Sequence, residues 1–435
     1  MTPLLAHPVV LPLPLPLPQR ARPRLRPAAT DVRVPVLDAA SLAQAVRALR
    51  LQIAPTASAR DAEASLPVGP IALVRDAGIG ALRVPTRYGG SGLGFAALAD
   101  TILQLSAGDA SLGQLLQPHF IFLERVNLMG SEAQRERYLG ACANGALFGN
   151  AISERGGKPG EWTTTLCRVG TGLRLHGRKF YATGSAMANY TFVGAVDDAG
   201  RRVLAVVPTD RRGVRLEDDW SAMGQRATAS GTAVFDQVEV APDELIALTP
   251  WEKRRHHTGA GSQIIHCAID AGIAAAALAD AVAHARGGAR ASRDSGLARS
   301  AQDPTVHHVV GDIASTAFAA EASVMHAAAA LDSAAKALLS SDASAETNPP
   351  EVERLLIDAS IAVASAKIVS SRAALRASEK LFEVGGASAA ASRLNLDRHW
   401  RNARTHTLHD PLAQKYRVIG EHLLTDTAPP NTFTY

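Results

Sequence analysis

The period of the apolar residues switches twice along this 435-residue chain, and that double switch restricts the architecture more than any single motif. From Leu37 to about Gly145 apolar side chains recur at three and four spacing, as in LDAASLAQAVRALRLQI and GFAALADTILQLSAGD, the pattern of amphipathic helices. From Ala146 to about residue 250 the period falls to two, in GLRLHGRKFYATG, RRVLAVVPTD and TAVFDQVEVAPDEL, with turn residues between the short runs. After His256 long alanine-rich helical segments return, broken by the polar loop SSDASAETNPPE. Helices, then strands, then helices predict an α+β multi-domain protein. The expected units are a disordered Pro/Arg-rich tail at 1–36, an N-terminal helical domain at 37–145, a middle antiparallel β-barrel domain at 146–250 and a C-terminal four-helix bundle at 251–435. Alanine suits the bundle because it is the best helix former and lets helices approach closely.

Composition removes several function classes. With 47% hydrophobic and 20% charged residues the chain is that of a globular protein, so global disorder is excluded. The net charge of +4 is spread over the length and aromatics are few, which gives no nucleic-acid stripe. Cys142, Cys167 and Cys267 are odd in number and lack metal-ligand spacing, so neither a disulfide framework nor a zinc site is expected and a reducing cytoplasm is the simplest location. The longest apolar run, AIDAGIAAAALADAVAHA, is interrupted by Asp270, Asp280 and His284 and reads as a buried helix rather than a membrane span. LPLPLPLPQRARPRLRP near the N-terminus favours an extended polyproline conformation and forbids helix.

No Rossmann fingerprint follows a strand and no Walker loop is present. Four polar clusters remain. GNAISERGGK (Gly149 to Lys158) offers Asn150, Ser153 and Glu154 beside a glycine pair, or is a plain turn. GRKFYATG (Gly177 to Gly184) reads as a strand ending in the Thr183 hydroxyl, which can donate to a cofactor ring nitrogen or cap the next turn. MGQRATASGT, with Arg226, is a hairpin or an anion-friendly turn. LDRHWRNARTHTLHDP (Leu396 to Pro411) carries Arg398, Arg401 and Arg404 at three spacing, suited to carboxylates or phosphate on one helix face. His406 and His409 repeat that spacing before Asp410-Pro411, and histidine exchanges protons near neutrality.

Domain order and clusters together resemble the acyl-CoA dehydrogenase superfamily from about residue 37 onward. LRVPTRYGGSGLG looks like its first-domain signature, AISERGG like the start of its flavin loop, and GRKFYATG like the strand whose threonine meets the flavin. The resemblance implies that Thr183 contacts the isoalloxazine and that Ser153 sits near its pyrimidine side. It also implies that Arg286 reaches a flavin phosphate, and that Gly385 and Gly386, in FEVGGASA, cradle phosphate from a neighbouring subunit of a homotetramer. The catalytic glutamate turn of the dehydrogenases has no counterpart here; RTHTLHDP stands in its place. Phe382 replaces a glutamine used on the dinucleotide side of FAD, which favours FMN, with FAD as the alternative.

GDASLGQLLQPHF, LFGNAISE, DDWSAMGQRATASGT and the C-terminal segment are similar to the flavin monooxygenase branch, which includes dibenzothiophene monooxygenases and the sulfur-acquisition oxidoreductases linked to dimethyl sulfone use. The last two segments, with QIIHCAIDAGIA, most resemble the sulfur-acquisition group. That likeness implies reduced FMN supplied by a separate NAD(P)H:flavin reductase, dioxygen, a flavin C4a-hydroperoxide and a small organosulfur substrate. His119, Asn150, Thr183, His406 and His409 would then surround the flavin edge, with His409 in acid-base work and His119 and His406 positioning the peroxide or substrate. An acyl-CoA dehydrogenase-like FAD oxidoreductase acting on an acyl thioester and a non-catalytic flavin-binding paralogue are the competing expectations.

Overall fold

The computed structural model describes residues 33–156, 161–248, 251, 253–287, 289–291, 293–432 and 434–435; the polyproline reading of the N-terminus lies outside them. Five helices open the chain: α1 (Ala39–Glu63), α2 (Val68–Asp76), α3 (Phe95–Gly108), α4 (Ala110–Met129) and α5 (Glu132–Ala143). Their starts are written locally. Asp38 accepts from the Ser41 N–H at α1, and Ser131 and Gln134 form a reciprocal capping box at α5. Between α3 and α4 only Asp109 intervenes, extended at φ −155°, accepting from the Ser111 N–H and paired at 2.9 Å with Arg60. This sharp break drives α4 into the middle of the molecule, carrying Gln114, Leu115 and His119 with it. The expected tail overreached by a few residues, since Val34 donates its N–H to the Ala143 carbonyl.

Eight strands follow: β1 (Phe148–Ala151), β2 (Thr165–Val169), β3 (Gly172–Lys179), β4 (Tyr190–Asp197), β5 (Arg202–Pro208), β6 (Val214–Leu216), β7 (Ala233–Val240) and β8 (Leu245–Ala247). The sheet runs β6-β7-β3-β2-β4-β5-β8, with β1 alongside β4. It is mixed, which corrects the antiparallel expectation: β1 pairs with β4 in parallel from Phe148 opposite Tyr190 to Ala151 opposite Val193, and β2 also meets β4 in parallel. Alternation along a strand identifies its faces and says nothing of a neighbour's direction.

The C-terminal unit comprises α6 (Thr258–Arg286), α7 (Pro304–Leu339), α8 (Pro350–Gly385), a short α9 (Arg398–His406) and α10 (Leu412–Thr425). α6 is long and apolar enough to cross a membrane, yet 72% of its most apolar window is buried. It packs against α3 and α4 on one side and α7 and α8 on the other, so one continuous core joins the two helical units while the sheet keeps a core of its own. Close approach is what Gly272 permits: a Cβ there would sit 2.5 Å from the Leu103 carbonyl oxygen of α3.

Candidate functional site

A strip of polar groups runs from β1 to α9 along the seam between sheet and bundle. Asn150, on β1, donates its N–H to the Thr183 carbonyl at 3.1 Å. The Thr183 hydroxyl lies 2.8 Å from the Ser230 hydroxyl, Ser230 lies 2.8 Å from Thr228, and Thr228 donates to the Gln225 carbonyl. The Gln225 N–H in turn donates to Asn402 Oδ1 at 2.6 Å, on α9. Thr183 lies past the end of β3 rather than on it, in the turn that follows, because Tyr181 adopts the left-handed region at φ 57°. Gln225 and Ala229 do likewise at φ 53° and 49°. Three non-glycine residues held in that region, at about 1–3 kcal/mol each, mark a segment whose shape is imposed by its surroundings.

The second half of the site is a histidine cluster on α6 and α9. His406 Nδ1 donates to Asp270 Oδ1 at 2.5 Å, and its Nε2 lies 2.9 Å from His266 Nδ1. Asp270 Oδ2 accepts from Lys367 Nζ at 3.0 Å and from the Ser371 hydroxyl at 2.6 Å, with Asp270 and Lys367 fully buried. His409 follows in the turn after α9, its ring 4.4 Å from that of His266. Asn402 and His406 are one helical turn apart, so α9 joins the two halves on one face.

The environment sets the charges. Burial alone would raise the Asp270 pKa, but Lys367, His406 and Ser371 outweigh it and hold the carboxyl well below its usual range. Burial pushes His406 down from 6.5, opposed by Asp270, and pushes His266 well down, aided by the charges of His409 and His406. His409 is exposed, and the protein packed about it and the neighbouring His406 lower its pKa too.

His119 is buried on α4. Its Nε2 donates to the Gly80 carbonyl at 2.8 Å and its Nδ1 accepts the Phe148 N–H at 3.2 Å. Both ring nitrogens are engaged, so it braces the start of β1 and has none free for a ligand. Burial holds it neutral, with a pKa lowered to about 4. Ser153 is exposed and bridges Phe180 through its backbone. Arg286 is exposed at the end of α6, roughly 24 Å along the helix from Asp270 at 1.5 Å rise per residue. Gly385 and Gly386 close α8 at that same end, where a Cβ on Gly385 would lie 2.1 Å from His284 Nε2. These three stand apart from the histidines. Arg398 and Arg401 take carboxylates, pairing with Asp280 at 2.5 Å and Asp61 at 2.7 Å, and Asp410 pairs with Lys415 at 2.6 Å.

Sequence reasoning missed His266, Asp270, Lys367, Gln225 and Ser230. A signal existed: Gln263, His266 and Asp270 recur at three and four spacing inside an otherwise apolar helix, which places a polar stripe on a buried face.

Buried histidines that stay neutral make stability pH-dependent, with a definite sign. The unfolded chain binds protons near pH 6.5 that His119 resists until about pH 4, so this contribution is full above 6.5 and is lost as pH falls toward 4. His119 alone accounts for on the order of 3 kcal/mol across that window. The melting temperature of the apo protein is therefore expected to hold above pH 6.5 and to fall as pH drops from there toward 4; a flat profile in that window contradicts the buried neutral histidines.

The buried polar atoms without partners among the described residues decide whether a flavin suits this seam. Asn150 Oδ1, both amide atoms of Gln225, Gln114 Oε1 and His266 Nε2 are such atoms, each costing roughly 1–3 kcal/mol unless matched. Acceptors and a free amide along one seam are complementary to a ring that carries both an imide N–H and carbonyl oxygens. The residues present fit the group.

Known proteins point the same way. The acyl-CoA dehydrogenase N-terminal, middle and C-terminal domain models match residues 38–146, 151–238 and 264–414. Dibenzothiophene monooxygenase of Rhodococcus qingshengii is 32% identical over 375 residues, covering 83% of this chain and 88% of that protein. The probable FMNH2-dependent monooxygenase SfnC of Pseudomonas putida is 30% identical over 396 residues, covering 89% and 95%. The crystal structure of FMN-bound TdsC from Paenibacillus sp. A11-2 superposes with a TM-score of 0.82 at 31% identity, covering 91% of this chain and all of that one. The chain belongs to the acyl-CoA dehydrogenase family, and within it to the flavin-dependent monooxygenases.

Proposed function

We propose that the protein is the oxygenating component of a two-component monooxygenase, using reduced FMN from a separate NAD(P)H:flavin reductase to oxidise a small organosulfur compound. The observation that carries this reading is the buried Asp270–His406–His266 array standing beside the Asn150–Thr183–Gln225 strip. A bound reduced flavin would supply the two electrons that activate dioxygen. Thr183 and Asn150 would hold the ring edge, Gln225 would close it from the α9 side, and burial of the seam would keep water from the reacting oxygen. His406 and His409 hold and move protons at their ring nitrogens. The name of the dibenzothiophene relative supports sulfur as the atom oxidised. Arg286 and Gly386, exposed, and Gly385, half-buried, at the far end of the bundle would serve the flavin of a neighbouring subunit in a homotetramer.

The experiment is stopped-flow absorbance: anaerobic protein with reduced FMN is mixed with oxygenated buffer, with dimethyl sulfone or dibenzothiophene as probe substrate. A transient with the absorbance of a flavin C4a adduct is expected, shortened at least tenfold in His409→Ala. If no adduct appears and bound FAD instead bleaches on adding an acyl-CoA, the dehydrogenase reading replaces this one. FMN is expected to bind more tightly than FAD, checked by fluorescence titration.

A further inference from the structure

The geometry points to His266 as the group that hands a proton to the reacting oxygen, with His406 and Asp270 behind it as a relay. This rests on the monooxygenase reading and adds a residue to it. The direction of the relay follows from its bonds. Asp270, held ionised by Lys367 and Ser371, can only accept, so His406 carries its proton on Nδ1. His406 Nε2 and His266 Nδ1 lie 2.9 Å apart with one proton between them. When His406 is neutral that proton belongs to His266 Nδ1, and His266 Nε2 is a bare acceptor. When His406 is protonated it donates, and the proton of His266 resides on Nε2. The state of His406 thus decides whether the outer nitrogen of His266 accepts or donates.

That outer nitrogen is buried and has no partner among the described residues, which leaves it as the open end of the array. Gln263 Oε1, one turn earlier on the same face of α6, is unpartnered too. The step balances. Dioxygen takes two electrons from the reduced flavin and becomes peroxide-level oxygen, which takes one proton from His266 Nε2. His266 recovers a proton at Nδ1 from His406 Nε2, and His406 ends neutral with its Nδ1 proton still hydrogen-bonded to Asp270. Groups facing His266 are Asp270 on its own helix, Lys367 on α8, His406 and His409 from the α9 segment and Lys415 on α10. His409, exposed, holds its ring 4.4 Å from that of His266 at a tilt of 32°.

Two measurements test the relay in the full chain. In the first, wild type, His266→Gln and His406→Gln are loaded with reduced FMN and mixed with oxygen between pH 5.5 and 9. Adduct formation is expected to slow about 10²-fold in His266→Gln and to lose its pH dependence, the size of a lost general acid. Formation within threefold of wild type with an unchanged pH profile overturns the proposal. In the second, exchange of histidine C2 hydrogens for deuterium is followed against pH by mass spectrometry on the apo protein. Removing the like charge in His406→Gln is expected to move the His266 midpoint upward; a midpoint that stays put also overturns the relay. Should wild type form no adduct, the monooxygenase reading fails by itself, and the exchange midpoints still decide whether the two histidines are coupled.

Discussion

Gly149→Ala is expected to weaken FMN binding by more than tenfold and to destabilise the protein by about 1–3 kcal/mol, the usual cost of forcing atoms into a packed site. Gly149 lies on β1 directly before Asn150. A Cβ there would sit 2.2 Å from the Ser185 nitrogen, 2.3 Å from its Cα and 2.7 Å from the Gly184 carbonyl carbon. All three are backbone atoms, so no side chain can swing aside. The strand and the turn holding Thr183 must separate, and the alignment of Asn150 with Thr183 is lost with them. Gly140→Ala on α5 is the control: nothing lies within 4 Å, and alanine in a helix gains up to about 1 kcal/mol. Fluorescence titration with FMN and urea unfolding give both numbers; binding within twofold of wild type in Gly149→Ala would falsify the close-approach argument.

Asp270→Asn has the other large effect, a loss of about 3–5 kcal/mol, because it leaves the fully buried Lys367 ammonium without its counter-charge. The same change gives His406 a neutral amide in place of a carboxylate, which weakens the bond that orients the imidazole. Adding Lys367→Met removes the stranded charge and is expected to restore at least half of the stability while leaving the oxygen reaction impaired. Urea unfolding separates the two consequences. Equal stability of the single and double variants would show that Lys367 finds another partner, and that the carboxylate is not what keeps it charged.

Much of the architecture was legible because periodicity reports directly on local geometry. The switch from three-and-four spacing to alternation near Ala146, and back after His256, coincides with α5 ending at Ala143, β1 starting at Phe148 and α6 starting at Thr258. The direction of β1 was not legible, since a strand carries no mark of its partner. His406 was legible as a polar residue that solvation does not explain. His119 was legible as unusual but not as a brace, because both its partners are backbone atoms: the Gly80 carbonyl 39 residues away and the Phe148 N–H 29 residues away.

By itself the sequence determined which segments are helices and strands, which glycines and histidines stand out, and which family the chain resembles, because these depend on spacing and residue type along the chain. Only the tertiary structure decided that His406 shares one proton with His266, that Asp270 is held charged by Lys367, and that Thr183 is tied through Ser230 and Thr228 to Gln225 and α9. The long-range links among these contacts join residues about 50 to 180 positions apart, and the charge of each group depends on what burial and neighbouring charges do to it. Spacing along a chain carries no information about either.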